Sequence, residues 1–262
     1  MTETEPLHAL RPFLRNWVWE HGRVGTRYLD CTCGELRFDE GKKAHYASET
    51  HQYVSLLKDA EPVAKTAPSI HEGGLARLLR AAQQGRPAEA GSAAEVQRAV
   101  QDCMELGLIS AYQRDAEQAR ARYALEPLFD DEIRAAVIED VRRLWVGVRE
   151  QLLRYDFTIF YSLPQALLIS DAPFTDWRVR AKPALPFVSL PLGPHSLLVG
   201  TPSARTSRTA PVLWKEAPVM GPFRDHNQHQ VQSARRWLVA TTDEALLAVQ
   251  PRFAPDAPAP SA

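Results

Sequence analysis

No stretch of this 262-residue chain reaches the eighteen or so consecutive apolar residues that a membrane-crossing helix needs. Its beginning, "MTETEPLHALRPFLRNWVWE", puts acidic residues where a secretory signal carries positive charge. A membrane partner is therefore not expected, and a cytoplasmic location is. Cysteine is scarce, and its odd count of three fits a reducing compartment rather than a disulfide framework. Neither sign of charge dominates, with 31 Lys and Arg against 32 Asp and Glu. That balance removes the strongly basic field of a protein dedicated to coating nucleic acid, so nucleic acid is not indicated as a partner. Also missing are an internal repeat, a dinucleotide or phosphate-loop glycine pattern, and the Gly-x-Ser-x-Gly elbow of a serine nucleophile.

What is present suffices for a sizeable core, since 45% of the residues are hydrophobic. Residues 7–249 read as one α+β domain, and 250–262, "QPRFAPDAPAPSA", as a disordered tail. Residues 7–19 are rich in Leu and aromatics and begin the core. "GRVGTRYLDCTCGELRFDEG" alternates around a turn at "CTCG", which is hairpin patterning. From 55 to 154 the periodicity is helical. "GGLARLLRAAQQG" predicts a helix closing at Gly85, and "RPAEAGSAA" a surface loop. Ser92 with Glu95 three residues on forms a capping box, and Val96, Val100, Cys103, Met104 and Leu108 give the following helix an apolar face. A helix after Asp131 places Leu144, Trp145 and Val148 on its buried stripe. The last third reverts to strands in "FTIFYS", "QALLIS" and "PFVSLPLGPHSLLVGTP", and "RDHNQHQVQSARRWLVA" predicts a closing helix. The run of strands, helices and strands disfavours alternating βαβ units. It predicts one mainly antiparallel sheet, built from the N-terminal hairpin and the C-terminal strands, with the helical middle covering a face.

Several residue groups could carry chemistry. In "LPQALLISDAPFTDW" an acid, Asp171, follows an apolar run and precedes Pro173, which cannot continue a ladder. Such an aspartate caps a turn through backbone donors, and it also leaves a carboxylate at a strand end, where sites on sheets tend to lie. Cys31 and Cys33, with His45 and His51 downstream, have the residue types of a zinc site. One residue between the cysteines is tighter than a structural knuckle, and the pair already serves a turn, so no metal ligands are assigned. His226 and His229 lie three apart at a helix start, with Asp225 as the cap. Arg114, Arg120, Arg122 and Arg142 alternate with acids, as solvated helical faces do.

The order "LHALRPFLRNW", "GTRYLDCTCGELRF", "LLISDAPF", "VSLPLGPHSLLVG" and "HNQHQVQSARRW" resembles a bacterial family catalogued as domain of unknown function 4238, over residues 7 to 249. Set on that family's pattern, Asp171 matches its strand-end acid, Asn227 its closing asparagine and Gln113 the glutamine of its middle helix. His8 and Pro12 are displaced by one and two positions from the family's leading His and Pro, and the Arg-Pro pair expected after Gln113 is missing. The resemblance thus implies Asp171, Asn227, Gln113 and His8 as candidate catalytic residues in a partly degenerate polar set. Two functions follow. The first is an intracellular bacterial interaction protein of a conflict or accessory system, binding another protein or a small ligand and needing no cofactor. The second is a hydrolase acting on nucleic acid or a nucleotide, with Asp171 and Asn227 working alongside a divalent metal.

Overall fold

In the computed structural model, residues 26–39, 72–104, 150, 154–170, 173–177, 187–203, 211–217, 226–234 and 237–253 are described. The first elements form the predicted hairpin, β1 (Thr26–Asp30) and β2 (Glu35–Asp39), paired antiparallel across the "CTCG" turn. Asp30 makes that turn. Its Oδ1 accepts from the Thr32 amide at 3.0 Å and its carbonyl from the Gly34 amide at 2.7 Å, while Gly34 takes the positive φ that glycine tolerates.

Helix α1 (Glu72–Gln84) ends where expected, because Gly85 adopts φ 64° and Arg86 N–H reaches back to the Ala81 carbonyl at 2.9 Å. A 3-10 turn at Pro87–Ala90 leads to α2, described over 93–104. The capping box is present in both directions. Ser92 N–H donates to Glu95 Oε2 at 2.8 Å, and Glu95 N–H donates to Ser92 Oγ at 3.4 Å. Val96, Val100, Cys103 and Met104 are buried together with Leu75, Leu78 and Leu79 of α1. Leu108 and the helix predicted after Asp131, including Leu144, Trp145 and Val148, lie outside the described residues.

The remaining elements are β3 (Tyr155–Tyr161), β4 (Ile169–Ser170), β5 (Thr175–Asp176), β6 (Val188–Gly193), β7 (Ser196–Pro202), β8 (Leu213–Glu216), α3 (His226–Ser233), β9 (Trp237–Val239) and α4 (Asp243–Val249). The fold is α+β. Among the described strands, pairing is antiparallel except between β3 and β8. Among the described residues, the strands divide into two sheets where one was expected, with orders β2-β1-β9-β4 and β5-β6-β7-β3-β8. The division falls inside the stretch flagged in the sequence: β4 ends at Ser170 in the first sheet and β5 begins at Thr175 in the second. Pro173 lies between them and lacks the N–H that a continuing ladder would use.

The closing helix is shorter than predicted, since Trp237–Val239 is a strand. β9 lies between β1 and β4, and both of its faces are covered. Trp237 and Val239 point into the main core with α1, α2 and the second sheet, whereas Leu238 joins Leu29, Val231 and Leu246 in a smaller core under α3 and α4. A central strand with two covered faces is apolar throughout. "WLV" therefore lacks the alternation that would have marked it. β8 was also missed by the sequence reading, and a 3-10 turn at Gln250–Phe253 falls in the stretch read as tail. Gln250 Nε2 donates to the Gly34 carbonyl at 2.7 Å, tying that turn to the hairpin.

Candidate functional site

Helix α3 reads "HNQHQVQS", with one apolar residue among eight, yet five of its side chains are buried. Such a helix is stable inside a protein only where its polar groups find partners. They find them along the approach to β4 and the route from β4 to β5. β4 is the last strand of its sheet among the described residues, so one backbone edge of the segment 166–170 faces away from β9. Period two puts the polar backbone groups of Ala166, Leu168 and Ser170 on that side. Asn227 Nδ2 donates to the Ala166 carbonyl at 2.7 Å, and Asn227 Oδ1 accepts from the Leu168 N–H at 2.7 Å. One turn along the helix, Gln230 Oε1 accepts from Ser170 N–H at 3.1 Å and from Ser170 Oγ at 2.8 Å. Its Nε2 donates to the Pro173 carbonyl at 3.3 Å and to Thr175 Oγ1 at 3.2 Å.

The two amides thus stand where a neighbouring strand would stand, and Gln230, with no exposed surface, bonds residues of both sheets. All four hydrogen-bonding positions of its amide are occupied.

Two histidines flank the amides. His229 is buried with its ring 5.3 Å from that of Trp177, and its Nε2 lies 3.1 Å from Ser233 Oγ. Trp177 Nε1 in turn donates to Ser189 Oγ at 2.7 Å, inside β6. His226 is completely buried, and neither of its ring nitrogens is hydrogen-bonded. Burial, reinforced by the nearby His229, holds its pKa down to about 3; the Leu168 backbone opposes the shift without reaching hydrogen-bonding geometry.

Of the residues singled out in the sequence, Asn227 lies on this polar face. Asp171, Gln113 and His8 lie outside the described residues, as do His45 and His51. Cys31 Sγ donates weakly to the Leu29 carbonyl at 3.7 Å, and Cys33 Sγ accepts from Arg37 Nη2 at 3.5 Å. Among the described residues, no three His, Cys, Asp or Glu side chains gather as a metal site would require. Sequence reasoning missed Gln230, Ser170 and Thr175. The available signal was the spacing of Gln230, three residues after Asn227 and so on the same helical face.

No family model matches the chain, and searches of curated proteins and of solved structures return no similar protein.

Proposed function

We propose that the protein is an intracellular bacterial binding protein, engaging another protein or a small ligand, as expected of an accessory or conflict-system component. The observation that carries this reading is the use made of Asn227. Both ends of its amide bond backbone of the segment leading into β4, and Gln230 is likewise engaged at both ends. A group that acts on substrate must present an atom toward it. Asn227, a candidate for the hydrolase reading, instead supports the segment leading into β4, beside the crossover that Gln230 holds. The surviving chemistry of the resembled family would then rest on residues other than this asparagine, and its degenerate "LHALRPF" stretch fits a chain kept for recognition.

The test is an incubation of wild type and Asp171→Asn with single- and double-stranded DNA, RNA and nucleotides, in Mg²⁺, Mn²⁺ or EDTA. On the binding reading, neither protein turns over any of these substrates. Both form the same saturable complex, of fixed stoichiometry, with a partner or ligand recovered from the source cell. Metal-dependent cleavage by wild type that disappears in Asp171→Asn would overturn it in favour of a hydrolase.

A further inference from the structure

His226 opens α3 with an imidazole that is wholly buried and without a hydrogen bond. Buried polar nitrogens are ordinarily satisfied, because leaving one unpartnered in apolar surroundings costs free energy. A neutral ring tolerates the place; an imidazolium there has no solvent and only the poorly placed Leu168 backbone to turn to, and it sits at the positive end of the helix dipole. Among the described residues, the titratable group acting on it from its own helix is His229. From the approach to β4 comes the Leu168 backbone. The same eight-residue helix carries the two amides that cover the outer edge of 166–170.

We propose that α3 is an acid-operated latch: a proton taken up at His226 releases the helix from the edge of β4 and uncovers the backbone groups that Asn227 and Gln230 occupy. The latch concerns the stability of one contact and does not depend on the binding reading. Its direction follows from linkage. The closed form excludes the proton and the open form accepts it at the ordinary imidazole value of about 6.5. Closure is therefore fully stable above about pH 6.5 and weakens as the pH falls toward about 3, the opening constant growing about tenfold for each unit.

Amide hydrogen exchange on the full chain, resolved by NMR and corrected for the intrinsic rate of exchange, tests this. Between about pH 7.5 and about pH 4.5 the opening constants of the Leu168 and Ser170 amides should rise about a hundredfold. The Val199 amide in β7 should stay level. In His226→Phe, which fills the site with a ring that cannot titrate, the rise should vanish. If that variant does not fold, His226→Gln is read in the same way. A level profile at Leu168 and Ser170 in wild type would overturn the proposal, and so would a loss of protection shared with Val199. A rise that persists when position 226 cannot titrate would place the proton elsewhere and equally overturn it.

Discussion

At position 230 an amide does what neither a carboxylate nor a hydrocarbon could. Its oxygen takes two hydrogens from Ser170, and its nitrogen gives two, to the Pro173 carbonyl and to Thr175 Oγ1. Gln230→Leu keeps the approximate volume and removes every one of these bonds. Ser170 N–H and the Pro173 carbonyl then lose their glutamine partner, at about 1 to 3 kcal/mol for each buried group left unpaired. Urea denaturation should accordingly show a loss of at least about 2 kcal/mol with the slope unchanged. Little of this was legible in the sequence. "HNQHQVQS" has polar residues at seven of eight positions, so no hydrophobic stripe says which of them turn inward. Asn227 was reached through the resemblance, and Gln230 was not reached at all. The packing of α3 on β4 is a contact between residues about sixty apart in sequence, which no local pattern records.

At the scale of elements, the devices that act within a few residues were the legible ones. The Ser92–Glu95 box lies where its spacing put it, and Arg77 of α1 adds an ion pair to Glu95 at 2.7 Å. Hydrogen bonds from Ser92, and then Arg77, hold the Glu95 pKa down to about 2. Because this folded value is depressed, the contribution of Glu95 is present above the ordinary carboxylate range and is lost as the pH falls from about 4.3 toward about 2. Ser92→Ala should cost about 0.5 to 2 kcal/mol, measured by thermal or urea unfolding. Gly85 and Gly34 were similarly readable as a helix stop and a turn. Gly200, in the middle of β7, was not. A methyl group there would come within 2.9 Å of the Phe157 ring and 3.0 Å of Val188 Cγ2. Gly200→Ala should therefore destabilise by about 1 to 3 kcal/mol through overpacking, and a chain with unchanged thermal midpoint would refute the close approach. β9 was misread for a related reason. A three-residue strand buried on both faces has no period to display, and its position directly after a helix made it look like that helix continuing.

At the largest scale, the described residues are organised around the crossing from β4 to β5. Two sheets and two cores meet there, one core shared by α1, α2 and the second sheet, the other enclosed by α3, α4 and the outer face of the first. Trp237, 1% exposed, inserts into the main core from the first sheet. Trp237→Ala should remove about 3 to 5 kcal/mol, and Leu238→Ala, one residue on but in the other core, about 2 to 5. The acid flagged in "LLISDAPF" lies beside this crossing in sequence, between Ser170 and Pro173, whose backbone groups Gln230 ties to α3. On the binding proposal, the polar face of α3 supports the approach to β4 and this crossing. Urea denaturation of Asn227→Ala, paired with the cleavage assay on the same sample, is the decisive measurement. The expected result is a stability loss of about 1 to 3 kcal/mol, from the unpaired Leu168 N–H and Ala166 carbonyl, with no cleavage by either protein. A variant as stable as wild type, in which a metal-dependent cleavage present in wild type has disappeared, would contradict it.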